Sequence, residues 1–214
     1  ASAARIADLL ADAGALKRRL PFRVYVRYAG IERSFQAGEY RFSEAASPRE
    51  IARRLVRGVG FYYSVTVPEG LTARETVELL AASGLGNPAG LERALLNTGW
   101  IRDLDPSARN LEGYLFPETY RFRRHADPDT IVKAMVDQFR AKIAGALGRD
   151  PMPDGWDIPR IVTLASMIEK EVQRREEGPL VASVYVNRLA RRMPLGCDAT
   201  IIYAMKLAGA YRGR

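Results

Sequence analysis

Three segments of this chain begin in the same way. Ser2–Leu10 reads "SAARIADLL", Ser47–Leu55 "SPREIARRL" and Thr72–Leu80 "TARETVELL". Each opens with a hydroxyl residue, and apolar side chains follow at helical spacing. Ser47-x-x-Glu50 and Thr72-x-x-Glu75 are capping boxes, in which hydroxyl and carboxylate reciprocally satisfy amides left unbonded at a helix start. Pro48 suits the first helical position, where an N–H would have no partner anyway. Between these helices lie strand-like pieces, "GEYRF" (Gly38–Phe42) and the alternating "FYYSVTV" (Phe61–Val67), the latter rich in β-formers. "PEG" (Pro68–Gly70) then turns into the third helix.

The expected fold class is therefore α+β. Residues 1–60 read as a small helix-and-strand module, and residues 61–214 as a mixed α/β, helix-rich domain. Within the second, a helix is expected over Ala89–Thr98. In Asp103–Phe122 ("DLDPSARNLEGYLFPETYRF") Tyr114, Phe116, Tyr120 and Phe122 alternate, which fits a short extended pair. A helix over Asp129–Leu147 carries Ile131, Met135 and Phe139 on one face, and Gly148–Gly155 is a loop. The stretch Arg160–Glu177 holds the next helix and Gly178–Met193 another. A turn, a helical stretch and a basic tail close the chain.

Composition narrows the function classes. The net charge is +8, so a polyanion or an anionic membrane surface is one neighbour to consider. Only five of the 33 basic residues are lysine, and codon bias toward arginine and alanine explains the charge equally well. The arginines are dispersed and no nucleic-acid module is recognisable, so no nucleic-acid partner is expected. Cys197 stands alone, which excludes an intrachain disulfide, and one His with one Cys builds no zinc site. No metal or cofactor is expected. No run approaches the ~18 apolar residues of a membrane span. Residue 1 is Ala rather than Met, so the expectation is a processed or excised piece with room for an anchor upstream.

The most informative segment is "RIVTLASMIEKEVQRREE" (Arg160–Glu177), an apolar run that ends in Glu-Lys-Glu. At roughly 100° per residue, Leu164, Ala165, Ile168 and Val172 fall within about 60° of Ile161, and Lys170 lies opposite. Glu169 and Glu171 land on the two flanks, at roughly +80° and −80°. Glu171 has Met167, Ile168 and Leu164 behind it, the larger apolar surface. A carboxyl held there would lose hydration and gain general-acid character. Arg175, four residues on, could instead pair with it. Helix geometry alone leaves both readings open, beside a third in which both glutamates are ordinary boundary residues.

"LEGYLFPETY" (Leu111–Tyr120), "LASMIEKEV" (Leu164–Val172) and "VASVYVNRL" (Val181–Leu189) occur in the order and approximate spacing of the YceG-like family of endolytic murein transglycosylases. "AGEYRF" (Ala37–Phe42) and "VPEGLTARE" (Val67–Glu75) resemble that family's N-terminal portion, so the resemblance covers nearly the whole chain. It implies a lyase that cuts nascent peptidoglycan glycan strands internally, leaving 1,6-anhydro-MurNAc ends, without a cofactor. The implied architecture is a LysM-like module over residues 1–60 followed by the catalytic domain. The implied catalytic residue is Glu171, with Glu112, Glu169, Asn187 and Asp198 as substrate-contacting or orienting residues. The implied partners are peptidoglycan strands and peptidoglycan synthases. The implied location is the inner membrane, anchored by a single upstream span, with this region on the extracytoplasmic side.

The chain departs from the family pattern in two places. "LGCDAT" (Leu195–Thr200) stands where members read like Leu-Gln-Ser-Asp-Pro-Thr, and the sequence stops before a Tyr-Asn-Thr-Tyr and Gly-Leu-Pro-Pro-Gly region. The competing expectation is a non-catalytic peptidoglycan-binding module.

Overall fold

All three hydroxyl starts open helices in the computed structural model, which describes residues 2–42, 46–58, 60–150 and 152–213. Helix α1 (Ala3–Asp12) is capped by Ser2, whose side chain accepts from Arg5 N. Helix α3 (Pro48–Arg57) is capped by Ser47 accepting from Glu50 N at 3.2 Å. Its capping box is only half formed, because the Glu50 carboxylate turns to Arg54 at 2.7 Å instead of back to the cap. Helix α4 (Ala73–Ala82) has the complete box of Thr72 and Glu75.

Between α1 and α3 lies α2 (Arg19–Tyr28), a helix that the sequence did not announce. "RLPFRVYVRY" is rich in β-branched and aromatic residues, and Arg18 gives no side-chain cap. Packing decides the matter, since Phe22 and Val26 are fully buried with Ala7 and Leu10 of α1 and Ile51, Ala52 and Leu55 of α3. Burying side chains of that size is worth about 1.5–3 kcal/mol each, more than the propensity deficit. The expected strand at Gly38–Phe42 is absent: this segment is irregular, tied by Phe61 N donating to Glu39 O and by the Tyr40 hydroxyl donating to Gln36 O.

The remaining elements are β1 (Tyr63–Thr66), α5 (Pro88–Ala94), β2 (Thr119–Phe122), α6 (Pro128–Leu147), α7 (Ile158–Glu171), α8 (Gly178–Ala190) and α9 (Asp198–Leu207). β1 and β2 form a two-stranded antiparallel sheet, so the described residues make an α+β fold dominated by helices. The expected extended pair inside Asp103–Phe122 does not form, because β2 pairs with β1 and residues 103–118 are turns. Two bonds hold the segment otherwise: the Tyr114 hydroxyl donates inward to Asp105 at 2.8 Å, and Phe116 N donates to Met135 O of α6.

The chain divides into two compact units. Unit 1 comprises residues 1–64 and 121–125, and unit 2 comprises 65–120 and 126–214. Unit 1 is built on α1, α2 and α3. In unit 2, α4 packs on α5 and α5 on α6, with Val77, Leu80, Leu91, Ile131 and Met135 buried. Helix α7 packs on both α8 and α9. No described helix is long and apolar enough to cross a membrane.

Candidate active site

The Glu-Lys-Glu sequence lies at the very end of α7. Asp157 caps the start of this helix by accepting from Arg160 N at 2.9 Å. Glu171 is its last residue, and Val172 is extended at φ −82° and ψ 138°. The packed side of α7 is rotated from the stripe expected around Ile161. Met167, at roughly −120° on the same wheel, is buried, whereas Ala165 is exposed. The rotation is toward the flank of Glu171.

That flank meets a small apolar cluster. Met167, Tyr185 of α8 and Cys197 before α9 are buried together, with Leu164, Ile168, Val181, Leu195 and Ala199 around them. The Cys197 thiol points at Glu171 Oε2 across 3.9 Å. Tyr185 completes the group. Its hydrogen bond to Cys197, its burial and the nearby Glu171 carboxylate push its phenol above the ordinary value, against the opposing Arg188. Arg188 also donates to Leu195 O, pinning the turn that carries Cys197. Glu171 itself stays exposed, because the helix stops there. It makes no ion pair among the described residues. Arg175, the partner considered from sequence, instead holds Glu69 at 2.7 Å, since the helix does not continue far enough to bring it over Glu171.

The Pro68–Gly70 turn backs onto the same helix end. Gly70 has φ +79°, and a Cβ there would lie 3.4 Å from Lys170 Nζ and 3.7 Å from Glu169 Cγ. Glycine permits both the left-handed backbone and the close approach. Glu169 is exposed beside this turn.

Glu112 has a different setting. Its carboxylate accepts from Ala73 N, the first amide of α4, at 3.0 and 3.1 Å, and from the Tyr203 hydroxyl of α9 at 3.2 Å. Burial, then the Glu112 charge, push the Tyr203 phenol up to about 12. One turn further along α9, Lys206 donates to Glu75 at 2.8 Å. That bond and the Thr72 amide hold the Glu75 carboxyl down at about 2. The Leu111–Tyr120 motif, the start of α4 and α9 are thus joined through two carboxylates.

Asn187 and Asp198 are both exposed. Asn187 lies two residues from Tyr185 and so roughly 160° round α8 from the side that packs on Cys197. Asp198 is the first residue of α9, next to Cys197. The fold therefore gathers Glu171, Cys197 and Tyr185 at one point and Glu69, Glu169 and Arg175 beside the Pro68–Gly70 turn. Glu112 stands in a third group with Tyr203. Tyr185, Tyr203 and Lys206 were not singled out from sequence, and their only signal was the apolar periodicity of their helices.

Comparison with known proteins places this geometry in context. The sequence profile of the YceG-like family matches residues 1–213. An endolytic murein transglycosylase of Bacillus subtilis (strain 168) is 30% identical, over 100% of this chain and 62% of its own length. One from Streptococcus pneumoniae serotype 2 (strain D39) is 26% identical over 95% of this chain and 41% of its own length. The chain thus spans about three fifths or less of these relatives. A crystal structure of a YceG-like protein from Listeria monocytogenes superposes with a TM-score of 0.60 at 25% identity, covering 100% of this chain and 74% of that one.

Proposed function

Since the chain belongs to the YceG-like family, we propose that it carries the catalytic carboxylate of an endolytic peptidoglycan lytic transglycosylase, and that this carboxylate is Glu171. The observation that carries this reading is the position of Glu171. It is the last residue of α7, its carboxylate is exposed, and among the described residues no cation neutralises it.

In the proposed reaction the protonated carboxyl of Glu171 donates to the oxygen bridging MurNAc and GlcNAc. The bond from that oxygen to the MurNAc anomeric carbon breaks, and positive charge develops at the carbon as in other glycoside cleavages. The 6-hydroxyl oxygen of the same sugar attacks the anomeric carbon, and its proton passes to the Glu171 carboxylate. The products are a GlcNAc hydroxyl and a 1,6-anhydro-MurNAc end, no water is consumed, and Glu171 is protonated again. Because the nucleophile belongs to the substrate, a second carboxylate at fixed separation is not required.

Glu169, Asn187 and Asp198 are proposed to hydrogen-bond the sugars. Glu112 is proposed to act indirectly, by fixing α4 and α9. The LysM-like character of residues 1–60, an upstream membrane span placing the region outside the inner membrane, and peptidoglycan synthases as partners belong to the same proposal and rest on the family resemblance. The test is mass spectrometry of uncrosslinked glycan strands incubated with the protein and with Glu171→Gln. New anhydro ends that vanish in the variant support the reading. Strand binding without new ends, from folded protein, would make this a glycan-binding module.

A further inference from the structure

The two units differ in charge in a way that arginine-rich composition does not explain. Unit 1 carries fifteen Arg and Lys against six Asp and Glu, a net of +9, while unit 2 carries eighteen against nineteen. A codon bias acts on the whole chain, yet the excess lies entirely in unit 1. Part of it converges on a groove of about 600 Å³ lined by Arg41, Arg49, Arg53, Arg54 and Arg57. Phe42 and Phe61 also line this groove, with the Arg41 guanidinium 4.0 Å over the Phe61 ring and that of Arg54 6.0 Å over Phe42. Glu50 is the one carboxylate among its described lining residues, and Arg54 already holds it at 2.7 Å.

Three of these arginines form an unneutralised stripe in the free fold. Arg49, Arg53 and Arg57 follow at four-residue spacing along α3, on the side away from buried Ile51 and Leu55. Like charges at that spacing repel. Arg49 also stands in the first turn, at the positive end of the helix dipole. Among the described residues none of these three makes an ion pair. An anion laid along the stripe reverses all of these repulsions at once, and guanidinium groups bind phosphate through paired hydrogen bonds.

We propose that this groove binds a ligand carrying two or more adjacent phosphates, with Arg49, Arg53 and Arg57 on the phosphates and Phe42 and Phe61 against its uncharged part. A soluble diphosphate and the phosphates of a lipid headgroup share this chemistry. The groove is lined only by residues of unit 1, so the proposal stands independently of Glu171.

The test uses inorganic pyrophosphate by titration calorimetry and vesicles of cardiolipin, whose headgroup carries two phosphates, with phosphatidylcholine as reference, by sedimentation. The groove variant is Arg49→Ala/Arg53→Ala/Arg57→Ala. The control is Lys17→Ala/Arg23→Ala/Arg27→Ala, which removes the same charge around α2. The expected result is salt-sensitive pyrophosphate binding, at least tenfold weaker in the groove variant and little changed in the control. The groove variant, relieved of repulsion, should also melt at a higher temperature. Vesicle binding with the same groove dependence, without pyrophosphate binding, identifies the source as a lipid. Equal weakening in both variants, or no binding of either probe, overturns the proposal. Should the groove variant fail to fold, amide shifts of the unmodified protein on adding pyrophosphate decide instead: shifts centred on α3 support the site, and scattered shifts refute it.

Discussion

Removing one hydroxyl, in Tyr114→Phe, tests how unit 2 holds its turn-rich segment. Asp105 is only 9% exposed and Tyr114 only 4%. The carboxylate is divided between donors: Ser107 N and Oγ bond Oδ1 at 3.0 and 2.8 Å, while the Tyr114 hydroxyl bonds Oδ2 at 2.8 Å. Phenylalanine keeps the edge-on contact of the ring with Phe139 but leaves Oδ2 without that donor. A hydrogen bond to a charged group contributes about 1.5–3 kcal/mol, and stranding one oxygen of a buried carboxylate favours the upper half, about 2–3 kcal/mol. For a unit of this size that lowers the melting temperature by about 4–10 °C. The assay is urea unfolding followed by tryptophan fluorescence, since Trp100 and Trp156 both lie in unit 2 and report on it alone. The pH dependence gives a second readout. Burial pushes the Asp105 carboxyl up, but the bonds from Ser107, Tyr114 and the backbone outweigh it and hold the group below its ordinary value. A depressed carboxyl contributes stability above its unfolded pKa and loses it as pH falls through its folded pKa. The difference between wild type and Tyr114→Phe should therefore be full at pH 7 and shrink in acid. A loss under 0.5 kcal/mol at pH 7, or a difference that does not change on acidification, would refute the reasoning.

Other outcomes follow from the same geometry. Lys206→Met removes the strongest influence holding Glu75 at about 2. Because Glu75 and Lys206 are 34% and 41% exposed, solvent screening reduces the expected loss to about 1 kcal/mol at pH 7. That loss should shrink as pH falls from 4.5 through about 2 and vanish only below it, where Glu75 is protonated in both states; urea midpoints across that range measure it. Gly113→Ala should cost about 2–3 kcal/mol, because Gly113 has φ +85° and its Cβ would lie 2.7 Å from Val162 Cγ1. Adding Val162→Ala should relieve the clash and leave the backbone strain, which thermal melts of single and double variants separate.

How much of this could be read in advance depends on the range of the interaction. Ser2, Ser47 and Thr72 act within four residues, so their helices were legible. Helix α2 was not, because Phe22 and Val26 become helical by packing against α1 and α3, and no cap marks its start. The aromatic alternation around Tyr114 misled, since its hydroxyl turns inward to Asp105. On α7, the placement of Glu169 and Glu171 on opposite flanks was legible from the 100° step. The end of the helix at Glu171 was not, since no glycine or proline follows until Gly178. The contacts that define the site reach far along the chain: Arg175 bonds Glu69, 106 residues away, and Cys197 meets Glu171 across 26. No local pattern encodes such pairs.

The most direct test of Glu171 is to cleave uncrosslinked glycan strands in ¹⁸O-labelled water and weigh the new ends. The account predicts MurNAc ends one water lighter than a hydrolysis product, free of label, formed by the wild type and lost in folded Glu171→Gln. Labelled reducing ends, or unlabelled anhydro ends that persist in Glu171→Gln, would contradict it.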